Sequence, residues 1–239
     1  MVRLLIVDDS TWAVEQLPKM IIEELAWEVT TARSPDELSV LLDDDSAFDV
    51  AMVDLSYANS QYTGLDALLM LHQRAPGCRL VVYTQGDAPF AEMLRDAWEA
   101  FELAGALSKM TDFAFVLRTL ERVAREGSAP IDPVLLPLLP AERSRWRSLD
   151  GYAMLVGHAG HAKLWKALIE LDEEPSYRDL AARTGLSLSA VSNYRSELLN
   201  HLALHYLDAP RMREMQRFAK RCRALLAPHI RMKLGDDSV

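Results

Sequence analysis

Val50-Ala51-Met52-Val53-Asp54-Leu55-Ser56 leads four apolar residues straight into a lone carboxylate, after which the chain turns polar. A short apolar run of this kind reads as a strand buried on both faces of a parallel sheet. An acid at the carboxyl end of such a strand stands where open α/β sheets place their ligands. A single Asp more commonly starts a turn or caps a helix. Partners at the ends of other strands decide between the two readings.

Such partners recur along the first half. Arg3 to Val7 is a second apolar, β-branched run and delivers Asp8-Asp9 at its end. A helix is predicted from about Thr11 to Leu25, kinked or shortened by Pro18. Trp27 to Thr31 reads as a strand. Ser34-Pro35-Asp36-Glu37 starts a helix, with Ser34 as N-cap, Pro35 in the first position and Glu37 closing a capping box. A polar loop spans Tyr57 to Thr63, Gly64 opens a helix to about Arg74, and Pro76-Gly77 is turn chemistry. Arg79 to Tyr83 is a strand ending at Thr84. A helix (about Ala88 to Leu103) and a short strand from Gly105 to Leu107 lead to Ser108-Lys109, and Thr111-Asp112 starts a helix to about Arg125. Strands alternating with helices predict an α/β fold, a five-stranded doubly wound parallel sheet.

Strand ends in such a sheet converge on one crevice, here bringing together Asp8, Asp9, Asp54, Thr84 and Lys109. Three acids suit a hard cation, and Mg²⁺ fits because it keeps waters and accepts phosphate oxygens. A hydroxyl and an ammonium complete a phosphate-sized anion pocket.

On these residues, positions 1–126 resemble the receiver domain of bacterial two-component response regulators, a flavodoxin-like fold. The resemblance implies that Asp54 is a phosphoacceptor, taking a phosphoryl group from a phosphohistidine on a partner sensor histidine kinase. It implies that Asp9 and Asp54 hold Mg²⁺ directly, Asp8 acts through water, and the Ser56 carbonyl is a further ligand. Thr84 and Lys109 would take the phosphoryl oxygens. Several positions depart from the family. Its aromatic switch residue, three before the Lys, is Ala106. Met110 replaces a Pro, the Pro of the loop after the acceptor strand is missing, Gly64 comes about two residues late, and Gln85 follows Thr84 where a small residue is usual. The pocket matches the family; the relay outward from it does not.

Residues 127–142 form a Pro-rich linker, with Pro130, Pro133, Pro137 and Pro140 spaced by Val and Leu. Residues 143–239 read as a helical output domain. Arg143 to Arg147 resumes helical character with Trp146 as a packing anchor. Gly157-His158-Ala159-Gly160-His161 holds two His with no Cys or acid beside them, a loop and helix start more than a metal motif. Ser176 caps a helix from Tyr177 to Arg183, Thr184-Gly185-Leu186 is a tight turn, and Ser187 caps a helix with an inward stripe of Val191, Tyr194, Leu198 and Leu202. Two helices joined by a short Gly-bearing turn are a helix-turn-helix signature. The segments 179–187 and 190–195 resemble the LuxR/NarL-type output domain. On that resemblance the third helix enters the major groove of double-stranded DNA. Ser189, Ser192, Asn193 and Ser196 would then face out, and Asn193 suits adenine. Arg178, Arg183 and Arg195 are the expected phosphate contacts. A last helix is predicted from Arg211 to about Ala227, ended by Pro228 and rich in Arg and Lys.

Charge divides along the same line. Residues 1–129 carry 10 Lys and Arg against 22 Asp and Glu, and residues 130–239 carry 16 against 13, so the net charge of −9 is the balance of −12 and +3. Different partners for the two halves follow. No apolar run reaches the roughly 20 residues a membrane span needs, and the few apolar positions before Asp8 are too short a run for a signal-peptide core. Only Cys78 and Cys222 are present, so a reducing cytoplasm is the simplest setting. The expectation is a response regulator phosphorylated on Asp54 that pairs as a homodimer on DNA. A phospho-regulated protein-binding adaptor, or an output largely independent of phosphorylation, is the alternative. An enzymatic effector fits poorly, because residues 130–239 show no nucleophile–base or metal motif and no glycine-rich phosphate loop.

Overall fold

The computed structural model describes residues 1–43, 47–58, 62–86 and 88–235; positions 59–61 of the expected polar loop lie outside the described residues. The strands are β1 (Arg3–Val7), β2 (Glu28–Ala32), β3 (Val50–Val53), β4 (Arg79–Thr84) and β5 (Leu103–Ser108). They form one five-stranded sheet in the order β2-β1-β3-β4-β5, every pairing parallel. This is the doubly wound order whose crossover reversal lies between β1 and β3. Leu4 pairs with Val50 and Val7 with Val53, which brings Asp8 and Asp54 side by side one residue further on.

Burial explains why these runs are strands. Leu4, Ile6, Val50, Met52, Val81 and Tyr83 form one core cluster with Leu17 and Ile21, and with Val116, Leu120 and Val123. The alternate residues Leu5, Val7, Ala51, Val53 and Val82 are fully buried as well. Each buried Val, Leu or Ile side chain contributes about 1.5–3 kcal/mol.

The helices α1 (Leu17–Leu25), α2 (Pro35–Asp43), α3 (Gly64–Arg74), α4 (Ala88–Ala100) and α5 (Phe113–Glu126) connect the strands. Ahead of α1, residues Trp12–Gln16 form a π-helical turn in which the Leu17 N–H donates to the Trp12 carbonyl. Pro18 falls in the first turn of α1, where a missing N–H costs no intrahelical bond, so the regular α-helix is shortened to Leu17–Leu25 with the wider turn ahead of it. Ser34 caps α2 through the Glu37 N–H, but the Glu37 carboxylate reaches the Arg33 N–H, one residue short of a closed capping box.

Contact density divides the chain into Met1–Arg143 and Ser144–Val239. The Pro-rich stretch therefore belongs with the sheet. The Ala129 and Asp132 N–H groups donate to the Ala104 and Ala106 carbonyls on the open edge of β5, and a 3₁₀ turn follows at Leu136–Leu138. Pairing this edge covers donors and acceptors that would otherwise face solvent.

The second unit holds a 3₁₀ segment (Asp150–Val156), α6 (Ala159–Glu170), α7 (Tyr177–Thr184), α8 (Leu188–Leu204), α9 (Met212–Arg221) and α10 (Arg223–Leu234). Its largest buried side chains are Trp165, Tyr152 and Phe218, whereas the expected anchor Trp146 is 36% exposed. The single last helix predicted to stop at Pro228 is two helices, broken at Cys222, and the second runs through Pro228. A proline inside a helix costs about 3 kcal/mol; burial of Leu225, Leu226 and Ile230 on both sides of it offsets that cost.

Candidate functional site

Asp8, Asp54, Thr84 and Lys109 stand at the carboxyl ends of β1, β3, β4 and β5, with Asp9 beside Asp8. All but Asp8 line a cleft of about 200 Å³, together with Ser56 and Gln85. Asp8, Asp54 and Thr84 are buried. Lys109 Nζ lies 2.8 Å from Asp54 Oδ2 and 2.8 Å from Asp8 Oδ2, while its backbone N–H donates to the Thr84 carbonyl at 2.8 Å. Asp8 Oδ1 accepts from the Ser10 N–H, and Asp9 Oδ2 from the Ala58 N–H. All five pocket residues named from the sequence, with Ser56, are thus brought together.

Burial pushes the Asp54 carboxyl up to about 6; Lys109 pulls it down, Asp8 pushes it up, and the Ser56 backbone N–H pulls it down. Burial works against the Lys109 ammonium, but Asp54 and Asp8 outweigh it and hold it above the ordinary lysine range. The Tyr57 phenol is pushed far up by burial and then by Asp54 and the neighbouring acids. Crowded carboxylates with one ammonium make a site short of positive charge.

Gly64 explains how a shifted glycine still serves the site. A Cβ there would stand 2.2 Å from the Asp54 carbonyl oxygen and 2.5 Å from Leu55 Cα. The start of α3, capped by Thr63 and Asp66 in a capping box, therefore packs directly on the Asp54 backbone.

In the second unit, the turn between α7 and α8 has the expected geometry. Ser176 and Asp179 close a capping box, Gly185 takes φ +69°, and Ser187 caps α8 through the Ala190 N–H. Ser189, Ser192, Asn193 and Ser196 are exposed, as is Arg178. Two expected phosphate contacts are otherwise engaged. Arg183 donates through Nε and Nη2 to Glu170 Oε2 at 3.2 and 2.8 Å. Arg195 is half-buried and donates to the Pro210 carbonyl at 2.6 Å, an inward contact where an outward one was expected.

The two histidines acquire an acid that sequence adjacency hid. His158 Nδ1 accepts from the Gly160 and His161 N–H groups, capping α6. Its Nε2 lies 3.3 Å, and His161 Nε2 3.0 Å, from Glu197 Oε2, a set of three side chains close enough to hold an ion. The cap argues for another role. With Nδ1 accepting, the His158 proton sits on Nε2 and donates to Glu197, leaving no lone pair for a cation. Glu197 ties the start of α6 to α8.

No protein-family model matches the chain, and no curated protein does. Among solved structures, the RcsB response regulator of Salmonella typhimurium aligns over 91% of this chain and 98% of its own, with TM-score 0.50 and 13% identity. A LuxR family DNA-binding response regulator from Silicibacter pomeroyi covers 56% of this chain and 98% of its own (TM-score 0.46, 20% identity). The isolated REC domain of RcsB from Salmonella enterica serovar Typhimurium covers 58% and 99% (TM-score 0.48, 16% identity). The near full-length match shows a common fold: a five-stranded parallel α/β unit followed by a helical unit. Among the described residues, no helix is long and apolar enough to cross a membrane.

Proposed function

We propose that the chain is a two-component response regulator whose Asp54 accepts a phosphoryl group and whose second unit binds double-stranded DNA. The convergence of Asp8, Asp9, Asp54, Thr84 and Lys109 at the carboxyl edge of the sheet carries this reading. Asp54 attacks the phosphorus of a phosphohistidine on a partner kinase. The P–O bond to Asp54 forms as the P–N bond breaks, and the imidazole keeps the electron pair and takes up a proton. Lys109 follows the incoming charge from Asp54 to a phosphoryl oxygen, and the Thr84 hydroxyl donates to another.

Mg²⁺ fits the acids. Carboxylate oxygens of Asp8, Asp9 and Asp54 lie within 4.8 Å of one another, with the single Lys109 ammonium shared between Asp8 and Asp54. Bound there by Asp9, Asp54 and the Ser56 carbonyl, with Asp8 behind a water, the cation would neutralise phosphoryl charge and align the transfer.

Phosphorylation would favour a paired state of the chain, and two coupled helix-turn-helix units gain DNA affinity through effective concentration. The test is retention of the full chain on duplex DNA across a salt series, with and without acetyl phosphate. Retention that rises on phosphorylation in wild type and not in Asp54→Asn supports the reading; none in either state removes the DNA half. The adaptor reading gains support from one observation: Arg183 and Arg195, two of the three expected phosphate contacts, are held by Glu170 and Pro210. It calls for no retention on DNA or heparin at any salt.

A further inference from the structure

The strap at 129–138 touches both loops that bear on the phosphoryl pocket. Asp132 is 1% exposed although it lies in a Pro-rich segment. Its Oδ2 accepts the Ser108 N–H at 3.0 Å and the Thr111 hydroxyl, and its Oδ1 accepts the Val134 N–H at 3.0 Å. Ser108 and Thr111 bracket Lys109, so this one carboxyl group grips the loop that carries the pocket's ammonium from both sides. The Asp132 N–H donates to the Ala106 carbonyl, at the position where the aromatic switch is lacking.

Leu135, fully buried, closes on the other loop. A Cβ on Gly86 would stand 2.5 Å from Leu135 Cδ2, and Gly86 takes φ +76° two residues beyond Thr84. The strap is therefore bonded to the Lys109 loop and packed on the Thr84 loop, and its chain runs on into the second unit.

We infer that Asp132 is a positioning residue for Lys109, and that the 129–138 strap reads the phosphoryl state of Asp54 in place of the missing aromatic switch. This rests on Asp54 being the acceptor. When a phosphoryl group arrives, Lys109 leaves the Asp54 carboxylate for a phosphoryl oxygen. The loop moves with it, and Asp132, fixed to both ends of that loop, hands the displacement to the strap.

The experiment uses the full chain with Mg²⁺. It measures the rate of Asp54 labelling by acetyl phosphate in wild type, Asp132→Ala, Asp132→Asn and Thr111→Val, with amide exchange on the strap in wild type with and without beryllium fluoride. Misplacing Lys109 slows labelling about tenfold in Asp132→Ala. Asp132→Asn, which still accepts from Ser108, restores most of the rate. Thr111→Val, which leaves every backbone bond of the strap intact, falls between and stands in if Asp132→Ala does not fold. Beryllium fluoride speeds exchange of the Asp132 and Leu135 amides. Wild-type labelling with equal rates in the variants and unchanged strap exchange overturns the inference alone. Absence of labelling in wild type overturns the acceptor reading, and this inference with it.

Discussion

Asp54 is held in a pocket that favours its protonated form. Its carboxyl is raised from 3.8 to about 6, so between those values the folded chain keeps a proton that the unfolded chain has lost. Stability of the metal-free protein therefore falls as pH rises through that window, by up to about 3 kcal/mol. Asp54→Asn removes the penalty. Urea unfolding at pH 7 should find the variant more stable than wild type without Mg²⁺, with the difference shrinking toward pH 4. Gly64→Ala acts on the same residue through its backbone. The added methyl meets the Asp54 carbonyl at 2.2 Å, and overpacking against backbone costs about 1–3 kcal/mol. Thermal unfolding should show that loss, and acetyl-phosphate labelling of Asp54 should slow. These strand-end residues were legible in the sequence because each ends an apolar run. The crowding at Gly64 was not, since it depends on where α3 starts in space.

At the level of elements, the end of α8 carries a buried histidine. His205 packs edge-on to Tyr152 at 4.7 Å and to Phe218 at 5.5 Å between ring centroids. Burial, then Arg147, His201 and Arg221, lower it from 6.5 to about 3. The unfolded chain binds the proton first, so the second unit keeps its full stability above pH 6.5 and loses up to about 5 kcal/mol as pH falls toward 3. His205→Phe should flatten that dependence in acid-unfolding curves followed by tryptophan fluorescence. Asn193→Ala should weaken DNA binding by about 1–3 kcal/mol if it meets a base edge. Arg195→Ala should cost about 1.5–3 kcal/mol of stability through the lost Pro210 bond and leave the salt slope of DNA binding unchanged; a slope reduced by about one would return Arg195 to the phosphates. Periodicity and caps made α7, the turn and α8 readable in advance. The break at Cys222 and the inward turn of Arg195 were not, because both depend on tertiary partners. Burial of Leu226 and Ile230 carries the helix past Pro228, and the Pro210 carbonyl lies 15 residues from Arg195 in sequence.

For the whole molecule, an acidic sheet unit precedes a mildly basic helical unit, an order of folds shared with the RcsB structure over 91% of the chain. The alternation of apolar runs with helix starts and the Gly185 turn made both units legible. The strap was not: its prolines read as a linker, and nothing in the local sequence tells that Asp132 will bury its carboxyl on Ser108 and Thr111. Glu197 escaped notice for the same reason, lying 36 residues from the histidine it holds. The central claim, that the chain receives a phosphoryl group on Asp54, has one direct measurement: peptide mapping of the intact protein after acetyl phosphate, with Mg²⁺ and with a chelator. The expected result is a single Mg²⁺-dependent, hydroxylamine-labile phosphoryl group on Asp54 that is lost in Asp54→Asn. Undiminished labelling in Asp54→Asn, or none in wild type, would contradict it.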